Sequence, residues 1–508
     1  DPAEDRTEAH ALHAGFKHLE SPCAIGSLKP VVGDTGAAAG LAGVVKTALC
    51  LYQEILPPLP GFREPALDVW QAGPFHFPRQ PQYWLRNREA GPRLAVTAAM
   101  TVDGNWGHVL LEGCDSPPPS ARSDQMKQER RYPLGGLPAG LFAVEGDSRR
   151  EVSDGLARLD DFMKRQTASP ARGGSIHGLA RAWHANQPPD PEKRYAAAIV
   201  AADPLELTRS IARARDRVAD SRPGPASRSG NVFVTFAPLG KTGRAAFVFP
   251  GSGNHYLGMG RGIGIFWPEI LRRMDARTPQ LKNQLLPEDY VPWRSNWPKG
   301  WELDARNTII AHPHTMIYGQ VMHGGVMSDL VRSFQVVPDA VIGYSLGESA
   351  GYFASGAWPD RAEMQKRLLA SNLFTTELAG PCNAARKVWQ VPDDEAVDWC
   401  AAVVNRPSEK VRAIIAKHEA VRLLIVNTPA ECVIGGRRPG VEAAIQALGC
   451  ESVFLEGVVT VHCDAALPAK KAYRALHVFP TTPPDHITFY SCARGCAHQL
   501  TTDSAADS

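Results

Sequence analysis

Apolar positions along the 508-residue chain follow two rhythms that change from region to region. In a region that runs to about Gly240 the pattern includes amphipathic helices. In DGLARLDDFMKRQ, Leu156, Leu159, Phe162 and Met163 share one face, and in SIHGLARAWHANQ, Ile176, Leu179 and Trp183 do the same. YAAAIVAADPLELTRSIARARDRV reads as a strand followed by a helix. Asp203 is its N-cap, Pro204 suits the first helical position, and Glu206 completes a box-like cap. From Arg244 onward short apolar strands alternate with helical patterns, an α/β signature. Within that stretch come the helix PSEKVRAIIAKHEA, two strands in VRLLIVNTPAECVIGG turning at Asn427-Thr428-Pro429, the helix PGVEAAIQALGC and the strand SVFLEG. The order helix-strand-strand-helix-strand suits a small α+β subdomain inserted in a larger sheet.

Breakers divide the chain into three regions. Pro117 to Pro119, with Ser and Asp around them, mark the first edge, and DSRPGPASRSG reads as a flexible loop within the second region, which runs to about Gly240. The chain opens in what reads as mid-helix, and TTDSAADS at the end carries no closing element. A length of 508 residues asks for two to four domains, and no internal repeat is visible.

Composition adds mainly exclusions. Lys plus Arg is 55 against 53 Asp plus Glu, so a net charge of +2 makes no electrostatic case for nucleic acid or an anionic membrane. No apolar run reaches the roughly eighteen residues of a membrane helix, and the charged first twenty residues lack a signal-peptide core. The 10 cysteines form no CxxC pair, and Cys492 and Cys496 find no second pair for a zinc site, so reduced thiols in a cytoplasmic protein are expected.

The candidate chemistry lies in PDAVIGYSLGESAGYFASG, where an apolar strand passes through Gly343-Tyr-Ser-Leu-Gly347 into a small-residue helix. Gly-x-Ser-x-Gly at such a junction is a nucleophile elbow. The glycines let strand and helix approach, and Ser345 is pushed outward at the helix N-terminus, where the N–H of Leu346 can hold an oxyanion. His462, after the apolar stretch of FLEGVVTVHCDAALP, is placed at a strand end to serve as base. A second glycine turn, PGSGNHYLGMG, lacks a phosphate-loop lysine and instead offers the Ser252 N–H as a second oxyanion donor.

These stretches resemble a known family. FVFPGSGNHYLGMGR, GYSLGESAGYFASGAW, VNTPAECVIGG, VTVHCDAALP and ITFYSCARG resemble, in order, five motifs of malonyl-CoA:ACP transacylase-type acyltransferases. Upstream, IGSLKPVVGDTGAAAGLAGVVK and TVDGNWGHVLLEG resemble ketosynthase segments, and the combination is most similar to PfaB-type subunits of polyunsaturated fatty acid synthases and to polyketide synthases. The resemblance implies an α/β multidomain chain. Residues 1–114 would be an inactive ketosynthase-like remnant, the C-terminal half of a thiolase-like fold. Residues 115–242 would be an α+β linker domain. Residues 243–508 would be an acyltransferase with an α/β-hydrolase-like core and a ferredoxin-like small subdomain at about 393–457.

Departures from the family pattern shape the expectations. The ketosynthase histidine falls at Asp34, while Lys29 survives at its motif position, so condensation is not expected and this part reads as a dimerisation scaffold. Tyr344 stands where the family has His, and Cys492 would supply the backbone carbonyl that orients His462. Malonyl-type enzymes carry, about twenty-five residues after the serine, an Arg that pairs with the substrate carboxylate. Here that position is Ala370, and Arg367 lies one turn earlier. Either Arg367 substitutes from a shifted helix or the pocket prefers an uncharged acyl chain, the reading favoured here. Val459, in the VTVH tetrapeptide, is a further pocket position.

The implied reaction moves an acyl group from a coenzyme A thioester, through an acyl-serine, to the phosphopantetheine thiol of an acyl carrier protein. It calls for no metal and no tightly bound cofactor, and for other synthase subunits as partners. Rival readings are an acyl-thioester hydrolase with water as acceptor, a lipase-like hydrolase, and a scaffold without catalysis.

Overall fold

The computed structural model describes residues 2–19, 21–71, 73–100, 105–114, 120–167, 175–220 and 227–507. The break at Pro117 to Pro119 lies outside them, as do residues 221–226 of the loop expected after Asp220. The chain separates into two compact units: residues 1–116 together with 246–508, and residues 117–245. The first and third regions of the sequence therefore share one unit.

In its first segment, helix α1 (Pro2–Phe16) precedes a short parallel strand pair, Cys23–Ala24 with Phe75–His76. Helix α2 (Ala39–Gln53) lies against a hairpin of β1 (Leu94–Met100) and β2 (Trp106–Glu112), antiparallel from Leu94 opposite Glu112 to Met100 opposite Trp106. Leaving α2, Glu54 adopts the left-handed region at φ 58°. Its carboxylate accepts from Arg93 Nη1 at 2.9 Å, Tyr83 Oη at 2.9 Å and Arg272 Nε at 2.7 Å. Ile55, Tyr83 and Leu85 bury in the same core cluster as Met259, Ile270 and Leu271. A mostly buried carboxylate is tolerated because three donors replace its water, and losing one partner of such a pair costs about 3–5 kcal/mol. The cluster ties the first segment to the third within their shared unit.

The second unit is an antiparallel sheet covered by three helices. Its strands are β3 (Gly140–Gly146), β4 (Tyr195–Ala201), β5 (Ser227–Ser229) and β6 (Val232–Thr235), in the order β3-β4-β6-β5. Helices α3 (Arg149–Thr167), α4 (Ile176–Asn186) and α5 (Pro204–Ala219) turn their apolar faces inward. Leu156, Leu159, Phe162, Met163, Leu179 and Trp183 all bury in one cluster. The cap of α5 forms as its sequence suggests: Asp203 accepts from the Glu206 N–H at 2.8 Å, and Glu206 reaches back to the Ala202 N–H at 2.8 Å.

Residues 246–508 hold two sheets. The larger orders β7 (Ala246–Phe249), β8 (Ala340–Gly343), β13 (Thr488–Ser491) and β14 (Cys496–His498), with the first three parallel. Helices α6 (Pro313–Ser333), α7 (Gly347–Ser355) and α8 (Arg361–Ala370) belong to this part, and α11 (Lys470–His477) follows later. The smaller sheet is fully antiparallel, in the order β10 (Val421–Thr428), β11 (Glu431–Arg437), β9 (Trp399–Val404), β12 (Ser452–Leu455). Helices α9 (Ser408–Ile415) and α10 (Arg438–Leu448) complete a β-α-β-β-α-β unit.

Three sequence expectations change here. The small unit begins with a strand, β9, that the apolar pattern does not reveal, and β9 pairs with both β11 and β12 at the sheet centre. The turn between β10 and β11 sits at Pro429-Ala430, because Thr428 still pairs with Glu431. Residues Thr502–Asp507 form helix α12, capped reciprocally by Thr501 and Ser504 and tied to Arg474 through Asp503 and Asp507 at 2.6 and 2.7 Å. No helix among the described residues is long and apolar enough to cross a membrane.

Candidate active site

The parallel pairing of β7 with β8 sets Phe249 opposite Gly343, and the chain leaves β8 through Tyr344 and Ser345 into α7. Ser345 has φ 54°, a left-handed conformation costly for a side-chain-bearing residue and typical of a nucleophile elbow. The glycines are required by contact. A Cβ on Gly343 would lie 2.1 Å from the Glu348 nitrogen, and one on Gly347 would lie 2.1 Å from the Phe249 carbonyl oxygen.

Ser345 Oγ lies 2.7 Å from His462 Nε2. His462 sits in the loop after β12, also at positive φ, 62°. Burial pushes its pKa below the ordinary 6.5, so the neutral imidazole prevails near neutral pH. The N–H groups of Leu346 and Ser252 donate to no acceptor among the described residues. Both residues line the same cavity as Ser345 and His462.

The loop carrying Ser252 is held by a residue that motif reading missed. Gln320, on α6 and buried, accepts from the Asn254 N–H at 3.2 Å and donates to the carbonyls of Pro250 (3.3 Å) and Gly251. Nothing in the sequence marks it, since its partners lie some seventy residues away. Tyr344 donates through its hydroxyl to Asn427 Oδ1 of β10 at 2.8 Å, joining the elbow to the smaller sheet. Asn427 in turn donates to Glu431 at 2.8 Å.

Other expected site residues behave differently. No hydrogen bond links the His462 ring to the Cys492 carbonyl among the described residues. Cys492 instead donates its N–H to the buried Glu348 at 2.8 Å, and its thiol lies 3.1 Å from the Gly343 carbonyl. Arg367 and Ala370 do not line the cavity. Helix α8 turns Met364 and Leu368 to it, and positions 367 and 370 fall on a neighbouring face. There Arg367 pairs with Glu363 at 2.8 Å, donates to the Val478 carbonyl at 2.8 Å and lies 4.3 Å over the Phe479 ring. Tyr344 and Val459 do line the cavity. Lys29 and Asp34 are exposed, and Asp34 merely accepts from the Gly36 N–H at 2.9 Å in its own turn. Among the described residues, no three His, Cys, Asp or Glu side chains converge to hold a metal ion.

Comparison with known proteins adds to this picture. Residues 1–63 match the model of the beta-ketoacyl synthase, C-terminal domain. The chain is 25% identical over 519 residues to a polyunsaturated fatty acid synthase subunit of Thraustochytrium sp., covering 96% of this chain and 24% of that protein. It is 28% identical over 512 residues to polyketide synthase GfsB of Streptomyces halstedii, covering 97% of this chain and 8% of the relative. The chain thus spans a quarter or less of the length of these relatives. Among solved structures, the acyltransferase domain of ZmaA superimposes with a TM-score of 0.52 at 15% identity, over 73% of this chain and 76% of that one. The family match covers a ketosynthase-like segment, the relatives are synthases, and the superposition shows a shared mixed helix and sheet fold.

Proposed function

We propose that this chain transfers an acyl group from a thioester, through an acyl-serine, to a thiol in fatty acid or polyketide synthesis. The observation that carries the reading is the 2.7 Å contact of Ser345 Oγ with His462 Nε2 at a strained glycine-bounded turn. Neutral His462 takes the hydroxyl proton as Ser345 Oγ bonds to the thioester carbonyl carbon. The N–H groups of Leu346 and Ser252 hold the oxyanion that forms. On collapse the carbon–sulfur bond breaks, His462 returns its proton to the leaving thiolate, and an ester on Ser345 remains. An incoming thiol then loses its proton to His462, attacks the ester and carries the acyl group away, and Ser345 regains its proton from His462. The proposed donor is a coenzyme A thioester and the proposed acceptor the phosphopantetheine arm of an acyl carrier protein.

Residues 1–114 are read as a ketosynthase-like remnant without condensing activity, residues 115–242 as a linker domain, and residues 243–508 as the acyltransferase, whose small subdomain at about 393–457 is ferredoxin-like. Dimerisation through the remnant and association with other parts of a synthase belong to the same proposal.

Intact-mass measurement after incubation with acyl-CoA tests it. The wild-type chain is expected to gain one acyl mass, mapped to Ser345, and to lose it faster to carrier-protein thiol than to water. Ser345→Ala should gain none. A wild-type chain that stays unmodified sinks the transferase reading, and one whose ester is released equally fast without the carrier is a hydrolase.

A further inference from the structure

The cavity beside Ser345 and His462 has a volume of about 110 Å³. Its walls come from both sheets' surroundings: Val321 and Phe353 from the larger part, Met364 and Leu368 from α8, and Ile425 and Val433 from the smaller sheet. Among the residues that line it there is no Lys, Arg, Asp or Glu. Most of its larger polar side chains are engaged with protein atoms, and the Tyr473 hydroxyl is the one for which the structure shows no hydrogen-bond partner among the described residues. Tyr318 donates to the Arg361 carbonyl at 2.7 Å, Tyr344 donates to Asn427, and the His477 Nδ1 lies 2.9 Å from the Tyr473 carbonyl. The arginines of α8 do not open into the space. Arg367 is engaged by Glu363, Val478 and Phe479, and Arg361 donates to the Phe353 carbonyl at 3.3 Å.

We infer that this site accepts an uncharged aliphatic acyl group and discriminates against acyl groups that end in a carboxylate. The inference rests on the thioester reading above and narrows it to a substrate class. An apolar chain entering the cavity exchanges water for the walls of Val, Leu, Ile, Met and Phe side chains and is favoured by their burial. A terminal carboxylate would shed its hydration and meet no cation and no cluster of donors in return, a penalty of at least two powers of ten in binding. The polar end of the cavity serves the reacting carbonyl, through Ser345, His462 and the free N–H groups of Leu346 and Ser252.

The experiment separates charge preference from chemistry. Two thioether analogues that cannot react, 3-methylbutyl-CoA and its charged isostere carboxyethyl-CoA, are titrated calorimetrically against the full chain carrying Ser345→Ala. The uncharged analogue should bind at least ~100-fold more tightly. In parallel, wild-type chain is incubated with isovaleryl-CoA and with malonyl-CoA and weighed intact, with the uncharged acyl mass expected on Ser345 at a rate at least ~100-fold higher. Equal or tighter binding of carboxyethyl-CoA, or no binding of either analogue, overturns the inference. If the binding preference holds while no acyl mass ever appears on Ser345, the transferase reading fails and the substrate-class inference stands.

Discussion

The turns around Asp34 and Ser345 each set a polar residue beside glycines, and their difference is instructive. Around Asp34, Gly33 and Gly36 have φ 74° and 53°, and a Cβ on either would meet nothing within 4 Å. Those glycines are needed only for the path of the backbone, and the carboxylate they present closes its own exposed turn. Around Ser345 the glycines are wedged. Gly343 and Gly347 leave 2.1 Å to neighbouring backbone atoms, the serine between them carries the strained φ, and the His462 imidazole stands 2.7 Å away. Glycine that permits a conformation marks a turn, whereas glycine that permits contact marks a place where three pieces of backbone have been forced together. The serine that the wedged pair presents opens onto the cavity it shares with His462.

The sharpest way to break the comparison is to remove the base. His462→Ala is expected to slow acylation of Ser345 by about 10³–10⁴-fold, measured as the rate of mass gain, with little change in Tm. A normal rate would reduce the elbow to another turn. Next, Gly347→Ala should lower stability by about 3 kcal/mol, because its methyl group collides with the Phe249 carbonyl, whereas Gly36→Ala in open space should cost only about 1 kcal/mol from backbone strain. Urea denaturation of the two variants decides whether contact or conformation is the heavier demand.

Acidity offers a finer probe. Because burial lowers the His462 pKa, the imidazole gains its proton only below 6.5, so the acylation rate should be flat near pH 7 and fall on an acid limb centred below that value. A limb centred above 6.5 would mean that the ring is stabilised as a cation. The smallest effect belongs to the other turn: Asp34→Asn should shift stability by no more than about 0.5 kcal/mol and leave acylation unchanged.

What the sequence makes legible follows the range over which each feature is determined. The Ser345 turn reads well because strand, glycines and helix are contiguous. The helices of the second unit read well because their burial repeats every turn, as at Leu156, Leu159 and Met163. Strand β9 is hard to see because its centre is Cys-Ala-Ala-Val-Val, small residues with no alternation, buried among neighbours supplied by β11 and β12. Arg367 is open to misreading because a rotation of one residue on α8 decides between the cavity and the Phe479 ring. Gln320 is invisible for a different reason: a glutamine amid the apolar face of a helix announces nothing until the Pro250–Asn254 loop folds onto it.

The Glu54 cluster has a practical meaning for anyone who cuts this gene. A fragment begun at residue 246, where the larger sheet starts, would keep Arg272 but discard the carboxylate it answers, and would strip Ile55, Tyr83 and Leu85 from the side of Met259 and Leu271. Such a truncation would take from Arg272 the carboxylate that accepts from it at 2.7 Å and leave a raw oily scar, and its insolubility in expression trials would say nothing about the chemistry at Ser345.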